Sequence, residues 1–369
     1  MSDVIIVGGG IIGLLSAREL LQAGAKVTLI DKSEVGTEAS WAGGGIVSPL
    51  YPWQYQDPIS DLVRWAQAYY PNLSDQLREE TGVDPQFNPC GLFMLDSQEH
   101  EMALWWAQRL NAHLREVDVA HAYEKVPALN RRFKRALSLP AVGNIRNPRL
   151  LKALRLSLLS DKKFTLIEGQ QVNHVVLHEK KLIGVATSNG EFHSDAVLLA
   201  AGAWTPLLSD ELELCLKIEP VRGEMLVFEP CPGLLPSIVL HEGKYLIPRL
   251  DGRIVVGSTI DRVGYDKSTT LNGREALMNA ALDILPELES LKVEKHWAGL
   301  RPGSPAGLPY MGESSKLNGL FVCAGHYRNG LVTAPASARL MTNLILKQKP
   351  EIDPLPFSLD RETNLEEMI

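Results

Sequence analysis

The first thirty-one residues constrain the fold more than any other stretch. Val4–Val7 is a short β-branched run suited to a buried parallel strand. Gly8-Gly9-Gly10-Ile11-Ile12-Gly13 follows and opens a helical stretch from Ile12 to Ala23, where Leu14, Leu15, Ala17, Leu20 and Leu21 form an apolar face. Gly24 closes that helix as a C-terminal glycine. Lys26–Ile30 is a second apolar strand, and Asp31 stands at its end. Strand, glycine turn, helix, strand and acid at this spacing make the fingerprint of a dinucleotide-binding unit. Gly8 permits the tight turn, Gly10 removes a Cβ where a pyrophosphate approaches the backbone, and Gly13 lets helix and strand pack closely. The phosphates then rest on free N–H groups at the helix N-terminus, and Asp31 accepts the ribose hydroxyls. The competing reading is a glycine-rich turn with no ligand.

Further along, Trp65–Glu80, Glu99–Leu114 and Leu150–Leu159 read as helices. From Gln171 the pattern changes to period two over Val172–His178, Leu182–Ser188 and Glu191–Ser194. Lys180-Lys181 and Asn189-Gly190 supply the turns of a small antiparallel meander. Ala196–Ala201 is a continuous apolar strand running into Gly202-Ala203-Trp204. A second β-rich region spans Lys217 to Thr259. There Asp251-Gly252 predicts a two-residue hairpin turn between Lys244–Leu250 and Arg253–Ser258. Pro248 predicts that the first of those strands lies at an edge or carries a bulge. Arg274–Leu285 is an amphipathic helix closed by Pro286, Leu320–Ala324 is a buried strand, and a helix follows around Thr333–Leu346. Beyond Lys347 the Pro-rich, charged chain reads as a surface strap or a frayed end. This order predicts an α/β protein of two interleaved domains. The nucleotide-binding pieces are 1–48, 143–212 and 305–347, the substrate-domain pieces are 49–142 and 213–304, and 348–369 is a tail.

Composition narrows the function. No stretch of the 369 residues approaches the roughly 18 apolar residues of a membrane helix. The net charge of −7, with no Lys/Arg block, argues against a nucleic-acid surface. Cys90, Cys215, Cys231 and Cys323 are scattered with no CxxC pair, so neither a disulfide scaffold nor a metal site is expected. Ser2-Asp3 leads straight into an apolar strand without a basic n-region, so a cytoplasmic protein is expected.

The fingerprint alone does not separate NAD from FAD. A second glycine cluster, Ser40-Trp41-Ala42-Gly43-Gly44-Gly45-Ile46, follows soon after the acid. An elongated flavin needs backbone to pass beside its ring, whereas a single NAD unit has no such need; the alternative is a flexible loop. Gly325-His326-Tyr327-Arg328-Asn329-Gly330 joins a buried strand to a helix. The N-terminus of that helix would stabilise negative charge at flavin N1–C2=O.

These stretches, with Ala200–Trp204, Lys244–Arg249, Gly257-Ser258-Thr259 and Trp297–Gly303, resemble the D-amino-acid oxidase family of flavoenzymes, in particular its bacterial glycine-oxidising members of the thiamine pathway. The resemblance runs from about residue 3 to 355. It implies a Rossmann-like FAD domain of the glutathione-reductase type, interleaved with an α+β substrate domain whose antiparallel sheet roofs the flavin. It also implies non-covalent FAD, because related sarcosine oxidases attach flavin through a Cys near the Arg-Pro stretch and Arg301–Gly312 contains none. The implied cofactor contacts are Gly8, Gly10, Ile11, Ile12, Gly13, Asp31, Lys32, Ala39, Ser40, Gly43, Gly44, Gly45 and Ile46. Later in the chain they continue through Val172, Gly202, Trp204, His326, Tyr327, Arg328, Asn329, Gly330, Leu331 and Val332.

The implied reaction is hydride transfer from an amino-acid Cα to flavin N5, giving an imine that water hydrolyses. Glycine, sarcosine and small D-amino acids are the substrates, with O2 as acceptor and glyoxylate, ammonia and hydrogen peroxide as products from glycine. Arg301 suits the carboxylate clamp, since a guanidinium pairs bidentately with a carboxylate; the bland reading is a surface Arg in a Pro-Gly loop. Tyr245 could donate a phenolic hydrogen bond to the same carboxylate, or be an ordinary cross-strand aromatic. Arg328 could bind substrate or merely support the flavin loop. No general base is required, so His241, His296 and His326 read as structural, and Cys323 as a core residue. Ile46 and Ile260 stand where some glycine oxidases carry Met, and Gly243 where a His can occur; these positions are expected to line the pocket. A homodimer or homotetramer is implied. The alternatives are a dehydrogenase of the same fold that passes electrons to a quinone, and a flavin-carrying assembly protein without turnover.

Overall fold

The computed structural model describes residues 3–179, 181–210 and 212–362. In chain order the strands are β1 (Asp3–Val7), β2 (Lys26–Ile30), β3 (Leu92–Leu95), β4 (Arg115–Val117), β5 (Ala136–Leu139), β6 (Phe164–Ile167), β7 (Val172–His178), β8 (Lys181–Thr187) and β9 (Gly190–His193). They continue as β10 (Ala196–Leu199), β11 (Glu219–Phe228), β12 (Ile238–His241), β13 (Lys244–Pro248), β14 (Ile254–Gly257), β15 (Val293–Gly303), β16 (Tyr310–Glu313) and β17 (Leu320–Ala324). The helices are α1 (Ile11–Gln22), α2 (Ala39–Ala42), α3 (Asp57–Thr81), α4 (His100–Leu110), α5 (Val119–Lys125), α6 (Asn147–Leu159), α7 (Thr205–Ser209), α8 (Leu271–Ile284) and α9 (Gly330–Ile345).

The two fingerprint strands pair in parallel, Val7 beside Ile30. They sit inside a six-stranded sheet of order β16-β17-β10-β1-β2-β6, parallel except at β16. One face packs against α1, α3, α6 and α9 through Ile6, Leu14, Leu29, Tyr70, Leu154 and Met341. The other is covered by the β7-β8-β9 meander through Val175 and Val185. Burial on both faces explains the continuous apolar runs of β1 and β10. α3 belongs by packing to this core, since Ile59, Leu62, Ala66, Leu73 and Leu77 join it.

The second sheet has eight strands in the order β15-β11-β14-β13-β12-β3-β5-β4, antiparallel except where β3 runs parallel to β12. Its side chains alternate by face. Leu226, Phe228, Leu246 and Val256 pack with Leu277 and Ala281 of α8. Met225, Tyr245 and Ile247 lie on the opposite face, toward a cleft between the two sheets.

Several expectations are corrected. The β13–β14 connection is a three-residue loop: Arg249 N–H donates to Arg253 O, and Leu250, Asp251 and Gly252 turn between them with Gly252 at φ +85°. Pro248 is not on an edge strand, because β13 lies between β12 and β14. It is tolerated because β12 pairs only with Lys244–Leu246 and leaves it unpaired on that side. The helix expected over Glu99–Leu114 stops at Leu110, where Asn111 adopts a left-handed φ of +50°, and Arg115–Val117 joins the sheet instead. The tail follows the strap reading rather than the frayed one as far as residue 362. Phe357 and Leu359 are buried, and Arg361 donates to Leu308 O and Pro309 O. Lys180 of the meander turn and residues 363–369 of the tail lie outside the described residues. Among the described residues no helix is long and apolar enough to cross a membrane, and no group of side chains could hold a metal ion.

Candidate active site

Each fingerprint glycine is held by a different neighbour. Gly8 has φ +109°, and a Cβ there would sit 2.5 Å from Ala200 O. A Cβ on Gly13 would sit 2.0 Å from Gly8 O, so helix and strand are in backbone contact. At Gly9 it would strike Val35 Cγ1 at 2.2 Å, a constraint not visible in the motif. Gly10 differs: its nearest neighbour would be the Ser40 hydroxyl at 3.2 Å, and the residue lines the cleft. α1 starts there without a side-chain cap, and Ser40 Oγ accepts only the Ile11 N–H, at 2.9 Å. Asp31 Oδ2 accepts the Gly9 N–H at 2.6 Å and Oδ1 accepts that of Ser33 at 2.8 Å. Burial pushes its carboxyl above the usual range, against those two bonds.

The cleft encloses about 1210 Å³, part of it open to solvent, and runs from Gly10–Ile12 past Gly43–Ile46 to β11, β13 and β15. The residues present fit a dinucleotide. Two helix N-termini without side-chain caps, those of α1 and α9, open on it. Asn147 Nδ2 donates to Ser40 O at 2.7 Å, but its Oδ1 is buried with no protein partner. The second glycine cluster is no flexible loop. A Cβ on Gly45 would collide with Ile145 O at 2.0 Å, and one on Gly44 with Ile247 Cδ1 at 2.7 Å. Arg249 pins this segment by donating to Gly44 O, Ile145 O and Asn144 Oδ1, and burial pushes its guanidinium down to about 10.

The β17–α9 loop closes the far wall. Tyr327 holds φ +46°, a sparsely populated region for a non-glycine, and its N–H donates to Pro302 O at 2.8 Å. His326 is buried beside Ser337 Oγ at 3.1 Å, and burial lowers it from 6.5 to about 3. It is therefore neutral at working pH. Because its folded value lies below its unfolded one, the unfolded chain binds the extra proton, and stability falls as pH drops from about 6.5 toward 3. We expect a loss of roughly 1 kcal/mol per pH unit in that window. Unfolding midpoints of the parent and His326→Gln across it would check this; parallel pH slopes would refute it. Burial likewise raises the Cys323 thiol, which lines the cleft as an inert neutral group.

At the substrate end, Arg301 on β15 is half-buried and lines the cleft. Its Nη2 donates to Ser258 Oγ at 2.7 Å, and its Nη1 to Thr259 O at 3.2 Å and Arg222 O at 3.4 Å. All three acceptors are neutral. Burial first, and the neighbouring Arg328 charge next, hold its guanidinium below the usual range, while Tyr245 opposes this. Burial and the charges of Arg328 and Arg301 lower Lys244 as well. The cleft wall thus concentrates positive charge, and among the described residues no carboxylate is paired with Arg301 or Arg328.

Of the residues expected at the site, Gly10, Ile11, Ile12, Ala39, Ser40, Gly43–Ile46, Gly202, Tyr245, Arg301 and His326–Leu331 all line this cleft. Gly8, Gly13, Asp31, Lys32, Val172, Trp204 and Val332 do not. The Lys32 ammonium lies 3.6 Å from the Trp204 ring centroid, and Val172 and Val332 are core residues. Of the three departures, only Ile46 lines the cleft. Ile260 is exposed on the loop after β14, and the Gly243 N–H donates to Tyr51 Oη in a left-handed turn. His241 and His296 lie outside it, bonded to Leu95 O and Glu224. Asn147, Met225 and Gly223 line the cleft without any motif that marks them, and Ser258 lines it from the Gly257-Ser258-Thr259 motif without having been expected at the site.

A family model described as FAD dependent oxidoreductase, DAO, matches residues 3–344. The chain is 47% identical to glycine oxidase of Pseudomonas aeruginosa, over 96% of this chain and 98% of that protein. It is 32% identical to the bifunctional protein ThiO/ThiG of Synechocystis, over 94% of this chain and 52% of that protein. The crystal structure of glycine oxidase from Geobacillus kaustophilus superposes with a TM-score of 0.93 at 29% identity, covering 99% of this chain and 100% of that one.

Proposed function

Because the chain belongs to the DAO family of FAD-dependent oxidoreductases, we propose that it oxidises glycine, with sarcosine and small D-amino acids as further substrates. Glycine, O2 and water become glyoxylate, ammonia and hydrogen peroxide. The observation that carries this reading is Arg301, a desolvated guanidinium facing only neutral oxygens in the cleft wall. Such a group is poised for a small carboxylate, which restores its lost solvation.

Non-covalent FAD, held by Gly10–Ile12, Ser40, Gly43–Ile46 and the α9 N-terminus, would supply the hydride-accepting and O2-reducing chemistry. The chain's own task is to orient. Arg301 holds the substrate carboxylate in a fork, Tyr245 donates its hydroxyl to the same group, and Arg328 adds positive charge from the α9 loop. His326 stays neutral and takes no proton. The α9 N-terminus favours the negative charge that develops on reduction. Cofactor retention is assigned to 1–48, 143–212 and 305–347 and the substrate domain to 49–142 and 213–304, except that α3 packs with the cofactor core and Arg328 reaches the substrate from the 305–347 piece. Likeness to a ThiO/ThiG protein supports a role in supplying the imine or glyoxylate for the thiamine thiazole. A cytoplasmic homodimer or homotetramer completes the proposal.

Anaerobic mixing of the holoprotein with glycine tests the reaction. The oxidised flavin band should bleach and peroxide should appear on admitting air; a band that persists would exclude turnover. The cofactor assignment has its own test. Asp31→Ala should weaken FAD binding by roughly 1.5–3 kcal/mol, the cost of losing hydrogen bonds to a charged acceptor. Flavin fluorescence titration of the apoprotein reads this, and an unchanged dissociation constant would show that Asp31 is not the ribose acceptor.

A further inference from the structure

We propose that Gly223 and Gly257 are positioning residues that set the depth of the substrate clamp. Glycine inside a strand costs conformational entropy and gives up packing, so it needs a reason. Both residues lie in inner strands of the eight-stranded sheet, on β11 and β14, and neither has the positive φ that would demand glycine. The reason lies above them. A Cβ on Gly223 would sit 2.1 Å from Arg301 Nη2, 2.3 Å from Nη1 and 2.4 Å from Cζ. A Cβ on Gly257 would sit 2.7 Å from both Tyr245 Cε2 and Oη.

The two arrangements differ in register but share a principle. Tyr245 faces Gly257 directly across the β13–β14 ladder. Arg301 faces Val221, while Gly223 faces Gly299, so the guanidinium folds back over a neighbouring pair to lie on Gly223. Each polar end thus rests flat on the backbone of an adjacent strand. For Arg301 that low position is also what brings Ser258 Oγ, Thr259 O and Arg222 O within reach. A methyl group under the guanidinium would have to lift it by about 1 Å, and a misplacement of that size can cost about 100-fold; because the clamp holds the carboxylate in ground state and transition state alike, that loss falls mainly on KM. The atoms displaced are the ends of flexible side chains, so the strands themselves need not move.

The inference rests on the proposed role of Arg301. We expect Gly223→Ala to raise the KM for glycine 10- to 100-fold, with kcat less affected. Its dissociation constant for acetate, a non-reacting carboxylate read from perturbation of the oxidised flavin band, should rise in parallel. FAD affinity and the unfolding midpoint should stay near those of Gly312→Ala, a strand glycine whose Cβ would only touch Leu359 Cγ at 4.0 Å, an ordinary contact. Adding Gly223→Ala to Arg301→Ala should produce little further change, since the methyl would then displace nothing. Gly257→Ala should raise the glycine KM in the same direction, and Tyr245→Phe should not relieve it. A parent that neither oxidises glycine nor binds acetate would refute the proposed reaction. A parent that does both, while Gly223→Ala keeps its KM and acetate affinity, would refute the positioning role. So would penalties that add in the double variant, because Gly223 would then act through the fold.

Discussion

Arg301→Ala is expected to raise the KM for glycine on the order of 100-fold or more, about 3 kcal/mol, with FAD content unchanged. Glycine offers almost no side chain, so its carboxylate must supply most of the orientation that aims Cα–H at the flavin. The cleft carries the matching group in a state that favours capture. Arg301 is desolvated, hydrogen-bonded to neutral oxygens (two carbonyls and the Ser258 and Tyr245 hydroxyls), and held below its usual range by burial and by Arg328. An arriving carboxylate reverses both penalties. Arg301→Lys keeps the charge but loses the planar fork and its simultaneous bonds to Ser258 and Thr259, so it too should impair binding. Steady-state kinetics on glycine decide the matter. A kcat/KM within a few-fold of the parent, alongside Tyr245→Phe or Arg328→Ala variants that lose activity, would place the clamp on another residue.

How much of this was legible in the sequence follows the range of the forces involved. The β1–α1–β2 unit was readable because its determinants are local: glycines in one turn, one helix face, one acid. The meander was readable because solvent on one face enforces period two. Local rules failed where a distant partner decides. The β13–β14 loop gained a residue because Arg249 continues the ladder and at the same time reaches Gly44 O, far earlier in the chain. Pro248 looked like an edge residue because nothing nearby shows that β12 ends short of it. Ile260 and Gly243 were expected in the pocket from motif position, yet a loop and a turn carry them away from it. Gly223 stood in no motif, and Gly257 stood in one that gave no reason for its glycine, since the guanidinium and phenol above them come from other strands. Asn147 stood in no motif; only the fold brings its side chain to Ser40.

Glu224→Ala is expected to cost about 3–5 kcal/mol of folding stability, the range for stripping one member from a buried ionic network. Glu224 follows Gly223 on β11 and points to the opposite face, fully buried. Its carboxylate accepts the Thr270 N–H at 3.0 Å and the Thr270 hydroxyl at 2.8 Å, and lies 2.7 Å from His296 Nε2. Thr270 in turn caps α8 by accepting the Gly273 N–H, and Gly273 leaves the space that the carboxylate occupies. The Glu224 N–H donates to Thr259 Oγ1, one residue past Ser258. This single side chain therefore holds the start of α8 and the far end of the 258–270 segment, whose near end supplies two of the three acceptors of Arg301. Removing it strands the Thr270 N–H, the Thr270 hydroxyl and His296, and loosens the ground on which the clamp is set. We expect a lower denaturation midpoint for the holoprotein together with a higher glycine KM. Glu224→Gln, which keeps the shape and one acceptor oxygen but turns the other into a donor and removes the charge, should lose less of both than Glu224→Ala. If Glu224→Ala unfolds like the parent, then Arg222, through Asp261 and Asp266, suffices to hold the segment, and the buried carboxylate adds nothing to it.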